Sequence, residues 1–208
     1  MATIKGLSQF KSKLSGGGAR PNLFEVSIPS IPVTSKQSVS DSAYDAELFT
    51  FLCKAAALPA SNIAPIDVPF RGRILKVAGD RTFDTWTITV INDENFKYRN
   101  VFEGWMQGIA QYSDHSGLTS PTSYMTDATV IQLGRGTVNA ETGTGSGGNA
   151  NGLAQYKFKD IFPTNISQID LSYDTSDTIE EFTVEFQVQY WYPEKAGSTS
   201  AGSDLPPS

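Results

Sequence analysis

Phe182-Thr183-Val184-Glu185-Phe186-Gln187-Val188-Gln189-Tyr190 alternates apolar and polar residues with no exception over nine positions. Successive strand side chains point to opposite faces, so the stretch predicts a strand with Phe182, Val184, Phe186, Val188 and Tyr190 in a core. Thr183, Glu185, Gln187 and Gln189 then form a wet face carrying no Lys, Arg, His or Ser. Such a face offers little for catalysis and reads as a wall.

Outward from this stretch the same period recurs. Phe24, Val26 and Ile28 alternate within 22–28, and Trp86, Ile88 and Val90 oppose Thr85, Thr87 and Thr89 within 83–91. β-branched and aromatic residues at this density favour a pleated sheet. Further strands are expected over 47–55, 68–77, 125–133, 155–159 and 166–173, the last pairing with 182–190 as a hairpin. Ala78-Gly79-Asp80-Arg81 and Phe162-Pro163-Thr164-Asn165 read as turns. Tyr98, Val101, Phe102, Trp105, Met106, Ile109 and Tyr112 recur at three- and four-residue steps, which predicts one helix after Asn92-Asp93. Gly104 and Gly108 read as close packing on a sheet.

The chain's 208 residues suffice for one β-rich domain with a core. A formal charge of −6 argues against a nucleic-acid grip, which needs an excess of Lys and Arg, but permits nucleic acid to pass without sticking. Cys53 is the only cysteine, so no intrachain disulfide forms. In phase with Phe49 and Phe51, it reads as a small buried hydrophobe. No apolar run reaches signal-peptide or membrane-span length, which suggests a soluble protein made in a cytoplasm with no membrane insertion.

No motif carries chemistry convincingly. Gly143, Gly145 and Gly148 match a dinucleotide fingerprint, but a strand rather than a helix is expected after them. His115 stands alone in a polar loop without a nucleophile elbow. One His and one Cys cannot supply a zinc site. Glu180, Glu181 and Asp160 form no distinctive pair. Asn165-Ile166-Ser167 is a glycosylation sequon without a secretory signal. The residues alone give a soluble, mainly β domain with one helix, no visible active site and no cofactor or metal expected, and they stop short of a function.

Three segments in order resemble the tail tube proteins of contractile-tailed, T-even-type bacteriophages. The first is Ala19-Arg20-Pro21-Asn22-Leu23-Phe24-Glu25-Val26. The second runs from 51–60 (FLCKAAALPA) through Val77-Ala78-Gly79-Asp80-Arg81-Thr82-Phe83-Asp84-Thr85-Trp86 to Val90-Ile91-Asn92-Asp93-Glu94. The third comprises Phe162-Pro163-Thr164-Asn165, then 169–174 (IDLSYD), 182–185 (FTVE) and Tyr190-Trp191. The resemblance implies a β-sandwich or partial barrel with a flanking helix, closing into a β-barrel ring on oligomerisation. Residues 20–193 form a single domain with inserted loops at 29–46 and 134–152, between flexible ends at 1–19 and 194–208.

As this family's resemblance implies, six copies form a ring, and rings stack into the inner tube of a phage tail. Double-stranded DNA passes non-specifically through it during ejection. The partners implied are a sheath protein, a baseplate hub, a tail terminator and a tape-measure protein in the lumen. Glu181, Thr183, Glu185, Gln187 and Gln189 are candidates to face the lumen. Asp80 and Arg81 match the family's Gly-Asp-Arg and tie down a turn or bridge to a neighbouring subunit. The inner tube of a related injection or secretion device delivering protein cargo is the nearest alternative. A hub or terminator sharing the fold, a carbohydrate-binding β-sandwich and an enzyme follow.

Overall fold

A computed structural model describes residues 6–7, 10–11, 19–32, 44–134, 152–174 and 177–194. The glycine-rich lead-in, the centres of both inserted loops and the C-terminal tail lie outside the described residues. So do Gly143, Gly145 and Gly148. Nine strands and two α-helices occur among the described residues: β1 (Phe24–Ser27), α1 (Ala46–Leu52), β2 (Cys53–Ala56), β3 (Ser61–Phe70), β4 (Arg73–Phe83), β5 (Trp86–Ile91), α2 (Lys97–Ile109), β6 (Thr126–Leu133), β7 (Gly152–Ile166), β8 (Glu181–Gln187) and β9 (Tyr190–Glu194). The fold is mainly β.

Seven strands make one open sheet in the order β1-β6-β7-β8-β5-β2, with β9 also pairing β7; β3 and β4 form a separate two-stranded ribbon. The chain divides into two compact units. The larger holds 26–129 and 157–192, and the smaller holds 1–25, 130–156 and 193–208. In the smaller unit, Leu133 N–H donates to Leu23 O at 2.9 Å, and the Gln132 amide reaches Leu23 O at 2.6 Å.

The larger unit is organised by the antiparallel pairing of β5 and β8. Trp86 stands opposite Phe186, Ile88 opposite Val184, and Val90 opposite Phe182. All six are buried. Trp86 stacks on Phe158 of β7 with centroids 4.6 Å apart. Helix α2 buries Tyr98, Val101, Phe102 and Trp105 fully. Phe102 and Trp105 lie 5.9 and 6.0 Å from Phe186. Ring pairs at such separations add to the burial of their area.

The helix is as its period predicts, with two differences at its ends. Phe96, in a left-handed conformation, precedes it, while Asp93 Oδ1 accepts from Lys97 N–H at 2.9 Å. Tyr112 lies beyond its end and is exposed. Gly104 and Gly108 are buried on its packed side. The chain then doubles back so closely that a Cβ on Gly117 would sit 1.9 Å from Ile109 O.

Several expected elements are different. Residues 46–52 form a helix instead of the start of a strand over 47–55. Asp45 caps it, accepting from Glu47 and Leu48 N–H, and Ala, Glu and Leu favour it. Phe49 is buried on this helix and Cys53, which opens β2 directly after it, is buried too, whereas Phe51 turns outward and is 75% exposed. The 162–165 stretch is strand, not turn, and pairs with β8 across a bulge: Phe162 opposes Gln187 and Ile166 opposes Val184. The partner of β8 is thus the end of β7, and residues 167–172 take no strand conformation. Leu171 and Tyr173, which alternate with polar residues in the sequence, are exposed. The strand quoted first ends at Gln187, and β9 begins at Tyr190.

Around α1 the Tyr44 hydroxyl donates to Ile28 O at 2.6 Å, and the Tyr98 hydroxyl to Asp45 O at 2.9 Å. Burial raises the Tyr44 and Tyr98 pKa values, with neighbouring Asp45 raising both further. Burial also pushes the Cys53 thiol up to about 12. Groups that keep their protons when folded but release them when unfolded stabilise less as pH rises above their unfolded values. The contribution of these three groups to stability against urea should be full below about pH 9 and fall through pH 9–12, and Tyr44→Phe should flatten part of that fall. Gly117→Ala should cost about 1–3 kcal/mol by overpacking, read as a lower urea midpoint; an unchanged midpoint contradicts the close approach.

Candidate assembly surfaces

Three surfaces of the larger unit stand out. The first is the outer face of β5 and β8. With Trp86, Ile88, Val90, Phe182, Val184 and Phe186 turned inward, the alternate residues Thr87, Thr89, Glu181, Thr183, Glu185 and Gln187 share the opposite face. Thr87 opposes Glu185, and Thr89 opposes Thr183. Lys54 of β2 forms an ion pair with Glu181, with side chains 54% and 33% exposed. Thr183 N–H donates to Ser167 Oγ at 2.8 Å. Gln189 is exposed just past β8, and its N–H donates to Lys159 O at 3.3 Å. Four of the five residues singled out in the sequence, Glu181, Thr183, Glu185 and Gln187, therefore share one polar face of β8, and Gln189 lies past the strand's end.

The second surface is the β3–β4 ribbon, whose extent the sequence pattern concealed. Phe70 pairs with Arg73, leaving Arg71-Gly72 as a two-residue turn. Both have positive φ, 46° and 82°, as a tight I′-type hairpin needs. The turn therefore lies at 71–72. Ala78-Gly79-Asp80-Arg81, expected to be a turn, runs inside β4, because a bulge between Ile63 and Pro65 admits it into the ladder. Gly79 is required there: a Cβ would approach Ala64 O to 2.6 Å. Asp80 and Arg81 are exposed on this arm and make no ion pair with a described residue.

The register gives the ribbon two unlike faces. Ile66 opposes Val77, Val68 opposes Leu75, and Phe70 opposes Arg73, so these six share one face. Ile66, Val68, Phe70, Leu75 and Val77 are all 42–66% exposed. The other face carries Pro65, Pro69, Ile74, Ala78 and the cross-strand ion pair Asp67–Lys76 at 2.9 Å. The ribbon is held at its base, where Asp84 N–H donates to Ala60 O at 3.1 Å and Phe83 meets Trp191 edge-on at 6.1 Å.

The third surface is the segment between β7 and β8. Residues 168–173 and 178–181 border an open depression of about 660 Å³. Leu171, Tyr173 and Ile179 are each more than 70% exposed there. Glu180 anchors the segment, accepting from the Asn92 amide at 3.0 Å, while its carbonyl accepts from Asn92 N–H at 2.9 Å. The sequence pattern missed this surface, because Ile169, Leu171 and Tyr173 alternate as a strand would.

His115 lies in an exposed turn beside Asp114 and Ser116. Among the described residues no group of three His, Cys, Asp or Glu could hold a metal ion, and no helix is long and apolar enough to cross a membrane. Because Cys53 is buried with its thiol held protonated, it should react with a maleimide at pH 8 at least about 100-fold more slowly in the folded than in the unfolded chain. Equal rates would contradict its placement.

The sequence profile of the phage tail tube protein family matches residues 19–194. The chain is 36% identical over 177 residues to tail tube protein gp19 of Enterobacteria phage T4, covering 85% of this chain and 93% of that protein. Among solved structures, its fold is similar to a chain of the sheath–tube complex of PVC, an extracellular contractile injection system, in its extended state. That match has a TM-score of 0.52 at 13% identity over 93% of this chain and 100% of the other. A second match is the tube-terminating cap of the anti-feeding prophage, with a TM-score of 0.54 at 14% identity over 86% and 92% of the two chains.

Proposed function

The chain belongs to the phage tail tube protein family and is a structural component of the phage tail, and on that premise we propose how its surfaces build and line the tube. Six copies close into a ring, and rings stack into a hollow inner tube inside a contractile sheath. The observation that carries this reading is the β3–β4 ribbon. A two-stranded ribbon alone in water is marginal at best, and this one exposes five large apolar side chains on one face. Contiguous exposed apolar surface marks a binding site. The main sheet is also open, with β1 and β2 at its ends. Open rims invite pairing with another chain, and a head-to-tail contact that closes makes a ring whose stacking extends into a tube.

The polar strip suits the bore. Glu181, Thr183, Glu185, Gln187 and Gln189 face the lumen in this reading, and Lys54, the cation beside them, is already paired with Glu181. Double-stranded DNA then slides past a wall that does not hold phosphate. Asp80 and Arg81, exposed on the ribbon and without an ion pair among the described residues, reach a neighbouring subunit in this reading. The tube assembles in the host cytoplasm, catalyses nothing, and meets a sheath protein, a baseplate hub, a tail terminator and a lumenal tape-measure protein. The 36% identity to a phage tail tube protein favours genome passage over delivery of protein cargo.

Negative-stain microscopy of the concentrated protein tests this. Six-fold rings or hollow tubes are expected, and a persistent monomer would overturn the reading. Glu185→Lys with Gln187→Lys should leave tubes intact but make their bores retain DNA at low salt and release it at high salt. Abolished assembly with an intact fold would instead place the strip in a subunit contact.

A further inference from the structure

The ribbon tip and the segment between β7 and β8 are complementary in charge and in apolar character. Residues 165–181 contain Asp170, Asp174, Asp177, Glu180 and Glu181 and no Lys or Arg. Glu181 is paired with Lys54, and Glu180 holds Asn92. Asp170, Asp174 and Asp177 have no cationic partner among the described residues. The ribbon tip, Phe70 to Lys76, contains Arg71, Arg73 and Lys76 and no acid. Lys76 is satisfied by Asp67, whereas Arg71 and Arg73 pair with no carboxylate among the described residues; Arg71 lies over the Phe70 ring at 5.4 Å. Each region also exposes three large apolar side chains: Phe70, Ile74 and Leu75 on the tip, Leu171, Tyr173 and Ile179 on the segment.

We propose that the ribbon tip of one copy docks in the depression between β7 and β8 of a second copy, with Arg71 and Arg73 meeting Asp170 and Asp174 around an apolar centre. This deepens the tube reading and rests on it, naming which two surfaces of the chain recognise each other. The occupant is the ribbon because it supplies cations and exposed apolar side chains together on a projecting arm. Docking occurs through side chains rather than by adding a strand to β3. Pro65 and Pro69 lie four apart in β3 within one unbroken register, so the positions lacking an N–H both point away from β4. The outer rim of β3 is thereby a poor template for pairing. The apolar centre excludes water, and the peripheral charges select the register and the partner.

The test uses four versions of the full chain: unmodified, R71E/R73E, D170R/D174R, and all four changes together. Circular dichroism should show that each folds. The concentration giving half-maximal tube formation should rise at least about 100-fold in either charge-reversed double variant, since opposed like charges cost several kcal/mol. It should return to within about 10-fold of the unmodified value when all four changes are combined. In a second measurement, Leu75→Cys and Leu171→Cys chains are mixed, assembled and oxidised. A disulfide between the two different chains is expected, and buried Cys53 does not compete. Undiminished assembly by both double variants, or tubes without the Leu75–Leu171 crosslink, overturns this docking and leaves the tube reading standing. Failure of the unmodified chain to form rings or tubes overturns both.

Discussion

A row of inward rings, Phe158 on Trp86 and Trp86 beside Phe186, is the contact on which the larger unit depends. It ties β7, β5 and β8 into one surface and presents a flat apolar bed to Phe102 and Trp105 of α2. Each fully buried side chain of this kind contributes roughly 1.5–3 kcal/mol, so the row sets the register of β8 firmly. A slip by one residue would turn Phe182, Val184 and Phe186 to water. The same constraint creates the polar strip: once one face of β8 is committed to the core, Glu181, Thr183, Glu185 and Gln187 have no choice but the other.

The core uses almost none of the ribbon. The chain commits 23 residues, 61–83, to two strands and a turn, and turns Ile66, Val68, Phe70, Leu75 and Val77 away from its own interior. An arm of this composition is costly for a monomer and useful for a component of an assembly. Its details fit that use. Gly79 permits the bulge against Ala64, Arg71-Gly72 closes the tip tightly, and the prolines of β3 discourage uncontrolled strand pairing. Among the described residues β1 and β2 end the strand order with no further strand beside them, which fits the same use.

What was legible in the sequence follows from which physical signal dominated locally. The strict period of Phe182 to Gln187 and of Trp86 to Val90 survives because each strand is buried on one face only. The helix stripe from Tyr98 to Trp105 survives for the same reason. At 46–52 the alternation of Phe49 and Phe51 reads as a strand, and the Asp45 cap decides for a helix that gives way to β2 at Cys53. The 71–83 stretch misled because Gly79-Asp80-Arg81 has turn composition, whereas the turn falls on Arg71-Gly72, a pair with a cation in a left-handed conformation. The 169–173 stretch alternates like a strand but gains no pairing partner, since the end of β7 already occupies that flank of β8. The candidate strip along β8 was readable from one strand alone. The ribbon and the acidic segment were not, because both depend on which strands pair.

The most direct measurement of the central claim, that the ribbon depends on sister chains for its cover, is amide hydrogen exchange on dispersed subunits and on assembled tubes. In the dispersed protein, amides of β5 and β8 should exchange slowly while those of 61–83 exchange fast, as expected of a ribbon that opens locally without global unfolding. In tubes, the 61–83 amides should slow by at least about 100-fold, with β5 and β8 little changed. Ribbon amides as protected in the dispersed subunit as those of β8, and unaltered by assembly, would contradict the account.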